Sequence, residues 1–460
     1  MAKKKKILLL SDDLRMHSGI GTMSKEFVLG TIDKYDWVQL GAAIKHPDEG
    51  KVFDMNETIR KETGVKDAYL KIYPSSGYGN PDVIRHLIDV ENPDAILHFT
   101  DPRFWGWLYQ MEHELRQEIP LMYYTIWDDL PYPRWNEPFY ESCDLLMCIS
   151  RQTTNIVKNV VREFPKEDWQ IQYVPHGINE KEFFPLTEEQ KQKEEYSKFK
   201  NKILDGEDYN FIMFYNNRNI RRKMPGDVIL AYKQFCDSLP KEEADKCLLL
   251  FHTHPVDQNG TDLPAVIREI CPMYPIKFTK GKYDTKHMNY LYNMSDVTIN
   301  IASNEGFGLS SAESIMTGTP IINNTTGGLQ DQVGFKKEDG SYLTVDDYTT
   351  EWGSNHDGRY KEHGEWAKPV FPASRALMGS PPTPYIFDDR CRWEDAGDKM
   401  KEWYDVGAEE RQRCGKLGRE WALQEDIGLS ATEMCNRFIK NMDTCFEKWT
   451  PRKQYSLYKV

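Results

Sequence analysis

The densest run of residues able to do chemistry is 303–331, SNEGFGLSSAESIMTGTPIINNTTGGLQD. Glu305 and Glu313 stand eight apart, with Gly306, Phe307 and Gly308 between them. This pattern predicts a flexible turn and then a helix over 310–316, with Glu305 on the loop and Glu313 inside the helix. The first amides of a helix lack intrahelical partners and carry partial positive charge. The backbone at Phe307, Gly308 and Leu309 is therefore a ready anion site. A diphosphate held there brings an attached sugar within reach of Glu305 and a ribose within reach of Glu313. Carboxylates suit both tasks because they accept paired hydrogen bonds from hydroxyls.

These groups need a scaffold. Ile7-Leu8-Leu9-Leu10 reads as a parallel strand buried on both faces. Ser11-Asp12-Asp13, Gly19 and Gly21 follow it, and then apolar residues at helical spacing. That is a strand, a glycine loop and a helix start, a phosphate-cradle arrangement. It lacks the full glycine fingerprint of nicotinamide-binding loops. Further strands are expected at 37–40, 95–99, 121–126, 145–149 and 172–174, with helices at 83–90 and 153–161. A charged stretch, 187–202, precedes a second series of strands at 210–214, 247–251, 276–278, 297–301 and 320–323. Strands alternating with helices imply parallel α/β sheets. Residues 337–389 show no period and are expected to be an irregular insertion. The last 60 or so residues read as helical.

The stretch EGFGL…E…GTP…GG resembles the signature of retaining GT-B glycosyltransferases, especially glycosyltransferase family 4. Pro175-His176-Gly177-Ile178-Asn179 resembles the interdomain segment of that family. Asn217 through Lys223 resembles its arginine–lysine donor element. Pro93-Asp94 through His98 and Asp144 through Ser150 resemble two of its N-domain strands. The resemblance implies two Rossmann-like domains facing across a cleft. Residues 1–186 would form the acceptor domain, joined by a C-terminal helix at about 425–460. Residues 187–424 would form the nucleotide-sugar donor domain, carrying the insertion at 337–389. It also implies roles. Arg218 and Lys223 would neutralise the diphosphate, Glu305 would bind sugar hydroxyls, and Glu313 would bind the ribose. Gly19 and Gly21 would let the N-domain loop approach the donor. Gly327 and Gly328 would serve a tight turn near the nucleotide. The expected reaction is sugar transfer from a nucleotide diphosphate donor, UDP by default, to an acceptor hydroxyl with retention. No further cofactor is expected.

The chain departs from the pattern in two places. Trp127 or Asp128 stands where family members often carry a histidine; Asp128 is a candidate to orient the acceptor hydroxyl or act as a base. Met224 stands where a glycine usually follows the donor lysine. His98, Asp101 and Trp127 are further candidates on the acceptor side. His252 and His254 are assigned to structure. Asp-x-Asp is absent, and no metal site is expected.

Aromatics crowd residues 99–140, with Arg103, Arg134 and Arg151 interleaved. The opening segment also resembles glycosyltransferases carried by tailed bacteriophages. This makes a 5-hydroxymethylated base in double-stranded DNA the leading single acceptor. The net charge of −13 weighs against a DNA partner. Saccharide, lipid-linked or small-molecule acceptors stay open, as does a non-catalytic sugar-nucleotide-binding protein. No apolar run approaches the roughly 18 residues of a membrane span. The nine cysteines form no CxxC pair, which fits reduced thiols in a cytoplasm.

Overall fold

A computed structural model describes residues 3–162, 166–350 and 358–452. Two separate parallel-dominated sheets organise the chain. The first has eight strands: β1 (Lys5–Asp12), β2 (Tyr35–Ala43), β3 (Phe53–Asp54), β4 (Leu70–Ser76), β5 (Ala95–Phe99), β6 (Leu121–Thr125), β7 (Leu145–Cys148) and β8 (Ile171–Tyr173). Their spatial order is β3-β4-β2-β1-β5-β6-β7-β8. All pairs are parallel except β3 with β4. Ile7, Leu8, Leu9 and Leu10 are wholly buried, as expected of a strand covered on both faces.

The second sheet has six strands: β9 (Phe211–Asn216), β10 (Cys247–His252), β11 (Ile276–Phe278), β12 (Val297–Asn300), β13 (Ile321–Asn324) and β14 (Ala367–Val370). Their order is β11-β10-β9-β12-β13-β14. In both sheets the order reverses beside a central strand. Such a switch point leaves a crevice at the carboxyl ends of the strands, where ligands bind in open α/β sheets.

The irregular insertion expected at 337–389 is ordered over much of its length. It supplies edge strand β14 and then an antiparallel hairpin, β15 (Pro372–Ser380) paired with β16 (Thr383–Cys391). Residues 351–357 of that stretch lie outside the described residues. The hairpin lacked a period because much of β15 faces solvent on both sides, so no apolar alternation marks it. Strand β4 also went unseen, although Leu70 and Ile72 are buried and Lys71 is not.

The terminal helix Ala431–Lys448 returns to the first sheet. Residues 453–460, included in the expected C-terminal helix, lie outside the described residues. Phe438 stacks on Phe27 at 4.7 Å and meets Tyr124 edge-on at 4.9 Å. The Tyr35 hydroxyl donates to Asp443 at 2.7 Å. The chain thus crosses between the sheets twice, at 174–187 and at 423–431. The crossings are zipped together: the Ile178 N–H donates to Leu429 O, and the Ala431 N–H to Ile178 O, both at 2.9 Å. Gly177 is required at this seam, where a β-carbon would strike the backbone of Ser430 and Ala431.

Candidate active site

A cavity of about 820 Å³ opens between the two sheets. Loops at the carboxyl ends of β1, β5, β6, β9, β10 and β12 contribute to its walls.

On the second-sheet side, β12 runs into Ser303-Asn304-Glu305 and the turn Gly306–Gly308, and the helix Leu309–Met316 begins. Gly308 holds the helix entry with φ of 90°, a left-handed geometry natural to glycine. Gly328 packs so tightly on Gly306 that a β-carbon would strike its carbonyl oxygen. The Gly328 N–H donates to Glu305 O at 2.9 Å, so the Gly327-Gly328 turn fixes the Glu305 backbone.

Lys223 ends a short turn, Arg221–Lys223, that follows β9. Its buried ammonium contacts Glu305; the two side chains are 9% and 13% exposed. Arg222 lies 3.6 Å from Glu305 and donates to Asn304 O at 2.6 Å. Burial presses the Lys223 ammonium to lower pKa, Arg222 adds to the effect, and Asp128 opposes it. Two cations thus crowd Glu305, the carboxylate in contact with them, while Asp128 faces the same pair. Arg218 lines the same cavity but is 61% exposed and paired with Asp257 at 3.1 Å. Sequence reasoning singled out Arg218 and overlooked Arg222. With arginines at 218, 221 and 222, spacing alone does not say which one turns toward the glutamate.

Met224 adopts φ 53° and ψ 39° at the position where the family pattern carries glycine. The loop keeps the left-handed geometry that a glycine would adopt without strain. Asn219 anchors the loop by donating to the carbonyls of His254, Pro255 and Thr261 at 3.1, 3.2 and 2.7 Å.

Glu313 projects from the second turn of its helix into the cavity wall. It accepts a hydrogen bond from the Tyr292 hydroxyl at 2.5 Å, and that hydroxyl accepts one from Asn216 at 2.9 Å. Burial raises the Glu313 pKa to about 7, although the tyrosine bond pulls it down. Asn216 and Tyr292 were not anticipated: Asn216 falls just beyond the strand expected at 210–214, and no element was expected around Tyr292.

On the first-sheet side, His17, Ser18, Gly19, Ile20 and Thr22 line the cavity at the start of the helix Gly19–Gly30. A β-carbon on Gly19 would come within 3.4 Å of Leu309, so the two helix starts face each other across the space. Gly21 does not line the cavity. It is buried behind the lining residues Ile20 and Thr22, donating its N–H to Ser18 Oγ at 3.0 Å, with the Met16 carbonyl leaving no room for a β-carbon. Its part is to shape the loop.

Asp101, Trp127 and Asp128 all line the cavity. Asp101 is engaged by Arg103, whose guanidinium lies 5.7 Å from the Trp127 ring centre. Burial raises the Asp128 pKa, with Arg222 and Lys223 opposing. Burial and the nearby Asp128 raise that of Asp129, which accepts from Asn304. His98 is a correction. It is wholly buried within β5, stacked on Tyr123 at 4.9 Å and hydrogen-bonded to Tyr109 at 2.7 Å, and it does not reach the cavity. Burial lowers its pKa to about 3. His176, in the segment that resembles the interdomain motif but given no role there, lines the cavity between the sheets. It is bonded to the Tyr124 hydroxyl at 2.8 Å and packed on Phe307 at 5.1 Å. His252 also lines the cavity while bonded to Thr279 at 2.6 Å.

Among the described residues, one group of three potential metal ligands occurs, Glu365, Glu410 and Cys414. None of them lines the cavity, and Arg413 pairs with both glutamates. Among the described residues no helix is long and apolar enough to cross a membrane.

No family model matches the chain, and no curated protein matches it. Solved structures do. HepE of Anabaena, crystallised with UDP and glucose, is 12% identical with a TM-score of 0.63, covering 96% of this chain and 100% of its own. Sucrose-phosphate synthase of Thermosynechococcus elongatus is 13% identical with a TM-score of 0.65, covering 96% and 100%. Trehalose 6-phosphate synthase of Burkholderia multivorans is 10% identical with a TM-score of 0.60, covering 97% and 99%. These likenesses establish the GT-B fold, two Rossmann-like units around a cleft.

Proposed function

We propose that this chain is a retaining glycosyltransferase that moves a sugar from a UDP-sugar to an acceptor hydroxyl. The observation that carries the reading is the convergence of Lys223, Arg222, Glu305 and the Leu309 helix start in one interlobe cavity, with Glu313 farther along its wall. The nucleotides and sugars named for HepE belong to that protein; here they support UDP as the first donor to test.

In this reading residues 1–186 with the terminal helix form the acceptor lobe, and 187–424 the donor lobe. The diphosphate displaces Glu305 as partner of the two cations and rests on the amides of Gly308 and Leu309. Glu305, released, accepts hydrogen bonds from the transferred sugar, and Glu313 accepts from the ribose. As the bond from the anomeric carbon to the phosphate oxygen breaks, the acceptor oxygen bonds to the same face. The departing phosphate oxygen takes the acceptor proton. The protein supplies positioning and fixed positive charge where negative charge develops. Asp128, facing Arg222 and Lys223 from the other lobe, orients the acceptor.

A 5-hydroxymethylated base in DNA is the acceptor to test first. A neutral saccharide is the second reading, favoured by one observation. Arg15 and Arg103, beside the acceptor half, are tied to Asp13 and Asp101, which leaves those two cations engaged rather than free for phosphates. A panel of nucleotide sugars, offered with hydroxymethylated DNA, plain DNA and simple saccharides and read by product mass, tests both. No transfer and no donor breakdown across the panel, with Lys223→Ala and Glu305→Ala binding UDP as the wild type does, would overturn the assignment.

A further inference from the structure

The hairpin β15–β16 follows edge strand β14 of the second sheet, yet its returning strand is bonded to the other lobe. Its base is fixed to the donor side. The Asp389 N–H donates to Ser303 O at 3.2 Å, Asn324 donates to Asp389 O at 2.9 Å, and Thr326 donates to the Asp389 carboxylate at 2.9 Å. Its middle grips the loop after β6. The Phe387 N–H donates to Leu130 O at 2.6 Å. The Tyr385 ring meets Trp135 edge-on at 4.4 Å; its hydroxyl donates to Tyr132 O at 3.3 Å and accepts from the Arg134 N–H at 3.4 Å. The Phe387 carbonyl accepts from the Asn304 side-chain amide at 2.6 Å, and the same nitrogen donates to Asp129. One residue thus joins the loop carrying Asp128 to the loop carrying Glu305.

We propose that this hairpin is an interlobe strap that holds the cleft closed over the reacting groups, with Tyr385 and Phe387 as positioning residues. Closure itself stands on geometry alone; what closure achieves rests on the glycosyl-transfer reading. A shut cleft keeps water from the donor and brings Asp128 to its place opposite Lys223. Leu377 and Met378, exposed on β15 across from Phe387 and Ile386, make no such contact with the other lobe and are dispensable for closure. The strap does not act alone. Across the same interface the buried Arg151 pairs with Asp331 at 3.4 Å, and the Arg151 N–H donates to that carboxylate at 2.9 Å. Loss of the Tyr385 contacts therefore shifts an opening equilibrium without freeing the lobes. An aromatic pair of this kind is worth roughly a two- to tenfold shift.

The test is a distance measurement between spin labels at Ile44→Cys and Met273→Cys, exposed positions on opposite lobes. The nine native cysteines are buried, so labelling is selective. Wild type is expected to give one narrow distribution, and Tyr385→Ala a second, longer component or a broadened one. Tyr385→Phe keeps the ring and should stay close to wild type, as should Leu377→Ala. If Tyr385→Ala fails to fold, Trp135→Ala removes the same contact from the other lobe and carries the same expectation. In the folded variant UDP binding should hold within threefold, while breakdown of UDP-glucose by water rises relative to transfer. Unchanged distances in both Tyr385→Ala and Trp135→Ala would overturn the strap. Absence of UDP binding in wild type would instead sink the nucleotide reading and leave the distance result standing.

Discussion

Lys223→Met is the most informative single change at the cleft. It keeps the stem and removes the ammonium that contacts Glu305. An ammonium about 4 Å from a developing phosphate charge contributes about 4 kcal/mol at an effective dielectric of 20. Removing one preorganised charge-stabilising donor from an active site costs about 10²- to 10³-fold in kcat, or about 2.7–4 kcal/mol. The two figures agree, so a loss of that size is expected. Folding should suffer less than the 3–5 kcal/mol typical of orphaning a buried charge. The reason is that Arg222 remains 3.6 Å from Glu305 and takes up part of its charge. The assay follows UDP release from the donor with a saturating acceptor, alongside urea denaturation of the same protein. A kcat within threefold of wild type, in a variant that still binds donor, would refute the role of Lys223. A stability loss above about 3 kcal/mol would refute the claim that Arg222 compensates.

Other outcomes follow from the same geometry. Because Glu313 has its pKa raised to about 7, the folded state holds this proton more tightly than the unfolded chain. Its contribution to stability is therefore present at low pH and lost as pH rises from the ordinary carboxylate range through 7. Ribose hydroxyls favour the charged form, so nucleotide affinity should climb between pH 6 and 8 with proton release. Calorimetry in two buffers checks this, and the same slope in Glu313→Gln would exclude Glu313 as its source. Asp331→Ala leaves Arg151 buried without its partner and should cost about 3–5 kcal/mol in denaturant unfolding. Phe438→Ala, at a wholly buried ring stacked on Phe27, should cost about 3–5 kcal/mol by the same measurement. For either substitution, a loss below 1 kcal/mol would mean that the site reorganises around the change.

The parts of the site that follow local rules were legible in the sequence. A glycine turn followed by apolar helical spacing placed Glu305 before the helix and Glu313 within it, and the continuous apolar runs marked most core strands. Other features depend on contacts between distant segments. Whether Arg218 or Arg222 faces Glu305 is decided by Asp257 pulling one away and the Asn304 carbonyl holding the other. His98 reads as a strand-end candidate because a run buried on both faces gives no hint of which residues reach its rim. The hairpin was invisible because its partners, Leu130, Tyr132 and Trp135, lie some 250 residues upstream and impose no period on it.

The zipped pair of crossings at Ile178 and Leu429–Ala431 restricts how the two halves of the molecule can be handled. The two crossings share a single parallel bridge at Ile178 and Ser430, so both connections between the lobes run through one seam. Cutting within 187–202 would not yield a self-sufficient first half. The helix that covers Phe27 and Tyr124, Ala431–Lys448, follows the whole second sheet in the sequence. During synthesis the first sheet must therefore wait, with that face bare, until residues 431–448 emerge.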